Sequence, residues 1–185
     1  MAARFKRARG GKIAVSFAEH EAELLQAMLT DLDALLASLD DSKAPTPDPL
    51  AAMVGIGTAT AAPEDPALAR LFPDGYTDDE AASADFRRYT QVGLRDIRQA
   101  RIATALASLE AAAHGRQVLD ADTAQAWLGA LNDLRLVLGE RLGVTEDLEE
   151  MLAAIPEEDP RRAALGVYDW LGWVQETLVR ALMRA

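Results

Sequence analysis

The chain of 185 residues contains no cysteine. That absence excludes structural disulfides, thiolate nucleophiles, cysteine-ligated zinc and any thiol switch intrinsic to the chain. Histidine is almost as scarce, with only His20 and His114, which is too few for most histidine-based metal sites. No apolar run of signal-peptide or membrane-spanning length follows the basic start, so a cytoplasmic location is expected. Phosphate cradles are missing too. Gly55-Ile56-Gly57 lacks the third glycine and the flanking strand and helix of a dinucleotide loop, and no Walker-type loop occurs. His20 with Glu19, Glu21 and Glu23 does not place a ligand set on one helical face and reads as a solvated first turn. Neither catalysis nor a cofactor is expected.

Charge is present in excess of one sign, and unevenly. The net charge is −11, yet residues 1 to 12 carry Arg4, Lys6, Arg7, Arg9 and Lys12 with no acid, for +5. Residues 13 to 80 carry −12 and the remainder −4. A globally acidic surface repels phosphate backbones, so only the basic arm or a local arginine stripe is suited to nucleic acid.

Along the chain, Phe5 to Arg9, then Gly10-Gly11, then Lys12 to Phe17 read as a basic β-hairpin. The glycines supply the positive φ of a tight turn, and Ile13, Val15 and Phe17 alternate. Ser16 with Glu19 forms a capping-box pattern, and Leu25, Met28, Leu29, Leu32, Leu36 and Leu39 continue a helical stripe. Six of the eight prolines then fall between this helix and Thr77, which forbids a long helix there. The stretch 40–76 reads as an ordered strap with helical turns near 48–54 and 65–72. Thr77 with Glu80 opens a long helix to about Ala113. In its first half Phe86, Tyr89, Leu94 and Ile97 take one side while Arg87, Arg88, Arg95, Arg98 and Arg101 share the other, where they would line a groove or an interface. After a short link from His114 to Leu119, Asp120 caps a helix striped by Trp127, Leu131, Leu134, Leu138 and Leu142. A minor helix around 146–153 follows, and Asp159-Pro160 opens a last helix to about Met183. The expectation is a mainly α protein, a bundle of about four main helices in one domain spanning 1–185, with the hairpin at 1–17 and the proline-rich strap at 40–76.

Two polar groups sit inside these last apolar stripes. Arg135 lies near the centre of one and Gln175 within the other, so Arg135 is a candidate buried cation that requires a partner. Asp96 is the favoured carboxylate, with Asn132 and Gln175 completing a buried polar layer. Trp173 lies opposite the apolar stripe of the last helix, amid Asp169, Glu176 and Arg180. That placement makes Trp173 and Glu176 candidates for a dimer or partner interface.

Several segments, in collinear order over nearly the whole chain, carry a resemblance. These are the basic hairpin, Asp65-Pro66-Ala67-Leu68, Leu71-Phe72-Pro73-Asp74-Gly75-Tyr76, Asn132-Asp133-Leu134-Arg135-Leu136 with Leu138-Gly139, and Tyr168 with Trp170-Leu171 and Gln175-Glu176. Together the set resembles an actinobacterial family catalogued as a domain of unknown function, number two thousand and seventeen, which includes the oxidative-stress regulator AosR. The resemblance implies a cytoplasmic, non-catalytic regulatory or adaptor-like protein with a protein partner, from transcription or the Clp-protease machinery. A disulfide switch of the kind assigned to that regulator has no cysteine to act through here. The runner-up reading is a transcriptional regulator that contacts DNA through the basic arm. No turn of helix-turn-helix length precedes a recognition helix, which weighs against sequence-specific DNA reading.

Overall fold

Gly10 and Gly11 hold φ at 70° and 72°, the left-handed values that let the basic segment reverse. In the computed structural model, which describes residues 4–39, 57, 59–112, 116–145, 148–156 and 158–183, this turn joins β1 (Lys6–Arg7) to β2 (Ile13–Val15). The pairing is antiparallel, with Lys6 opposite Ala14 and Arg7 opposite Ile13. A third strand, β3 (Gln117–Leu119), lies antiparallel on the other edge of β2. It falls in what the sequence marks only as a link, because three residues are too few to show a period and their partner is about a hundred residues away. All of Ile13, Ala14 and Val15 are buried, so the hairpin is part of the core.

The helices are α1 (Glu19–Ala37), α2 (Pro66–Leu71), α3 (Glu80–Ala112), α4 (Ala121–Leu142), α5 (Leu148–Ala154) and α6 (Pro160–Met183). Together they make the mainly α bundle expected, carrying the small sheet. The expected turn near 48–54 lies outside the described residues. No helix of the described residues is long and apolar enough to cross a membrane. Helix α4 is central and touches α1, α2, α3, α6 and β3. Its Trp127 and Leu131 are fully buried, together with Leu25, Leu29 and Leu36 of α1 and Leu171 and Leu178 of α6. The Trp127 ring meets Phe5 at 5.9 Å and Phe17 at 5.4 Å, which pins the sheet to the bundle.

Caps fix the helix starts, though not always where the sequence pattern put them. At α1 the Ala18 N–H donates to Glu21 Oε2 at 2.8 Å, two residues beyond the Ser16–Glu19 pair, since Ser16 still belongs to the extended chain that delivers Phe17 to the core. At α3 the acceptor is Asp79, bonded by the Ala82 N–H at 2.9 Å, and not Thr77. Asp120 accepts from the Thr123 N–H at 2.8 Å and Asp159 from the Arg161 N–H at 2.9 Å, as expected. Asp65 caps α2 through Ala67 and Leu68.

Three of these caps are held below the ordinary carboxylate value of 3.8. For Asp120 the cause is the Thr123 N–H and hydroxyl, and for Asp159 the bonds from Arg161. For Asp65 burial acts upward but is outweighed by Arg141 and the two amide donors. A depressed folded-state value means stability that is present above the unfolded value and lost as pH falls through the folded one. Thermal melts should therefore stay level from neutral pH to about pH 4 and fall below it. An Asp65→Asn, Asp120→Asn, Asp159→Asn triple variant should show a shallower fall; an unchanged slope would assign the acid transition to other groups.

Helix α3 departs from expectation in that arginines expected along a groove or an interface are in part buried. Phe86, Tyr89, Leu94 and Ile97 are exposed, whereas Arg87 is buried to 6% exposure. Guanidinium groups can take the inward side because carboxylates and carbonyls wait for them there. Arg87 pairs with Asp74 and donates to the Thr60 carbonyl at 2.9 Å. Arg98 pairs with Asp133 and donates to the Leu71 carbonyl at 2.8 Å. Farther along, Ile102, Ala105 and Leu109 turn the same helix apolar inward.

Candidate functional site

Strand β1 and helix α6 are held together by a bond that the sequence does not advertise. The Phe5 N–H donates to Thr177 Oγ1 at 3.1 Å, while the Phe5 ring drops into the core. The flanking arm residues are thereby laid along α6. Arg4, Phe5, Lys6, Arg7, Trp173, Thr177, Arg180 and Ala181 line a groove of about 380 Å3. Residues from the arm and from α6, four of them cationic, thus line the same groove as one indole. Trp173 is 40% exposed, and Arg180 donates from Nε to Glu176 Oε1 at 2.6 Å across one helical turn. An indole offers a flat apolar face with one N–H donor, and arginines offer planar forks for carboxylates or phosphates. Chemically, the groove suits an anionic chain that carries an apolar or aromatic side chain.

The arm itself is divided. Arg9 and Lys12 are exposed at the turn and do not line the groove, and Lys12 instead adds a favourable field at Asp120. The arginine stripe of α3 divides as well. Arg87 and Arg98 face inward; Arg88 is exposed over the Tyr89 ring at 5.4 Å, and Arg95 bonds Asp96 at 3.0 Å. Arg101 lies across α4, where Gly129 leaves room: a Cβ there would stand 2.7 Å from the Arg101 Cδ.

Of the expected polar layer the structure joins Arg135 to Gln175 and leaves out Asp96 and Asn132. Asp96 is exposed and bonded to its neighbour Arg95, so it is not the partner of Arg135. Asn132 is exposed. Arg135 is half-buried between α4 and α6, donating to Gln175 Oε1 at 2.8 Å and lying 5.1 Å from the centre of the Tyr168 ring. The buried carboxylate of α4 is Asp133, at 1% exposure, and its cation is Arg98. A signal for this exists. Ala126, Gly129, Ala130 and Asp133 share one face of α4, a run of small residues that leaves space for long side chains from a neighbour. Among the described residues no group of His, Asp or Glu is arranged to hold a metal ion.

The profile of a family described as Domain of unknown function (DUF2017) matches residues 1–182. The chain belongs to this family. It is 35% identical over 188 residues to the oxidative stress regulator AosR of Mycobacterium tuberculosis (strain ATCC 25618 / H37Rv), covering 94% of this chain and 84% of that protein. It is 34% identical over 194 residues to the putative oxidative stress regulator AosR of Mycobacterium leprae (strain TN), covering 97% of this chain and 87% of that protein. No solved structure matches. Relatives named as regulators support a regulatory role.

Proposed function

We propose that this protein is a non-catalytic regulator that acts through contacts with another protein, made at the groove between β1 and α6. The observation that carries this reading is that Arg4, Lys6, Arg7 and Arg180 line the same groove as the exposed Trp173. An exposed indole in a groove rich in long polar residues has the composition of an interface anchor and its rim. Relatives named as oxidative stress regulators supply the regulatory context. The chain has no thiol of its own, so its part in such a response would be relayed by what it contacts or binds.

The same four cations favour a second reading, in which the groove takes DNA. Against it stands the −16 carried by residues 13 to 185, which repels any polyanion extending beyond the groove. A short protein segment ends where the groove ends and escapes that repulsion. The two readings separate in a salt titration with promoter-length duplex DNA. Binding should be negligible at physiological salt, and Lys6→Glu should change it little. Submicromolar binding that falls steeply with salt and is abolished by Lys6→Glu would instead establish the DNA reading.

A further inference from the structure

A second cavity lies between the end of α2 and the first half of α3. It has a volume of about 250 Å3 and is walled by Leu71, Phe72, Pro73, Phe86 and Leu94, with polar groups from Asp74, Arg87, Thr90, Gln91 and Arg98. Three of these side chains are unusual in having unspent bonding capacity while buried. Arg87 Nε, Arg98 Nε and Gln91 Oε1 are shielded from solvent and have no hydrogen-bond partner among the described residues. Arg87 is 6% exposed and Gln91 5%. A buried polar atom without a partner forfeits its hydration, so three on side chains that line one cavity favour a ligand that draws those side chains toward it and satisfies them.

We propose that this cavity binds a small carboxylic acid with a compact apolar or aromatic tail. Two of the three unspent groups are guanidinium N–H donors, whose strongest partners are carboxylates. Gln91 can turn its amide NH2 toward the same anion, since oxygen and nitrogen exchange places by a flip of the side chain. The carboxylates already present differ in one decisive respect. Asp133, which holds Arg98, is 2% exposed and fixed in α4, but Asp74, which holds Arg87, is 52% exposed. A ligand carboxylate can therefore displace Asp74 into water and take Arg87. Its tail would enter the space among Phe72, Phe86 and Leu94. The volume lies below the roughly 300–1,000 Å3 of drug-sized sites, which limits the ligand to a small acid. Because Arg98 also holds the Leu71 carbonyl and Asp133, occupancy bears on how α2 and α4 meet α3.

Isothermal titration of the full chain with phenylacetate, acetate and benzyl alcohol tests the assignment. Phenylacetate should bind saturably at one site per chain, with the tail-less and uncharged probes about tenfold weaker or more. Arg87→Met should weaken phenylacetate by a similar factor, and Leu94→Trp, which fills the mouth without touching either ion pair, should do the same if the first variant fails to fold. Asp74→Ala should tighten binding by removing the competitor, an effect that nonspecific surface binding would not show. Failure of phenylacetate to bind, equal binding of all three probes, or affinity indifferent to Asp74→Ala and Leu94→Trp would overturn the proposal and leave a water-filled cavity.

Discussion

Asp133→Ala should destabilise the protein by about 3–5 kcal/mol, because it leaves the Arg98 guanidinium in the interior without its counter-charge. Arg98 is only 17% exposed and Asp133 2%, so water cannot replace the lost partner without opening the α3–α4 contact. The second carboxylate oxygen of Asp133 has no partner among the described residues, so the pair is not fully satisfied even when intact. An Asp133→Leu, Arg98→Met double variant should accordingly lose far less than the single one, about 1 kcal/mol for the bond surrendered at the Leu71 carbonyl. Urea melts of the three proteins measure both quantities. A single variant that melts with the wild type would show Arg98 reaching solvent and α3 oriented the other way.

Trp127→Ala should cost a comparable amount, about 3–5 kcal/mol, by opening a cavity at the junction of sheet and bundle. The ring is fully buried between Phe5 and Phe17, and its Nε1 donates to Ser108 Oγ at 3.0 Å. Ser108 in turn donates to Gln117 Oε1 at 2.8 Å, so one indole joins α4 to α3 and β3. Trp127→Phe keeps most of the ring contact and removes only the donor to the Ser108 oxygen, which still bonds Gln117, for a smaller loss of about 1 kcal/mol. Near-ultraviolet circular dichroism together with denaturant melts would show it. If Trp127→Ala retained native stability, the sheet would not be docked through this residue.

What the sequence reveals of this architecture follows the strength of each local signal. Helices α1, α4 and α6 carry leucines at helical spacing with acids or prolines at their starts, and the structure places them as the pattern requires. The hairpin is equally legible from Gly10-Gly11 and the alternation after it. Strand β3 is hidden, because its existence depends on β2 rather than on its own three residues. Helix α3 is readable as a helix, but its arginines read as lining a groove or an interface, because hydrophobic periodicity cannot register that Asp74 and Asp133 stand ready to take Arg87 and Arg98 inward. The same blindness to partners made Asp96 attractive for Arg135, although its nearest cation is its own neighbour Arg95. For the groove, the sequence offers both halves separately, a basic arm and an outward tryptophan. Their meeting rests on the backbone bond from Phe5 to Thr177, a contact across 172 positions that no local pattern encodes.

The most direct test of the protein-contact account replaces Glu176, one helical turn from Trp173, with a photocrosslinking amino acid in the native cell and identifies its adducts by mass spectrometry. Wild-type-level folding is expected, since that side chain is 50% exposed and Trp173 is left in place. The account predicts one discrete protein adduct whose yield collapses when Lys6→Glu reverses charge in the groove. Adducts to nucleic acid alone, or a protein adduct indifferent to Lys6→Glu, would contradict it.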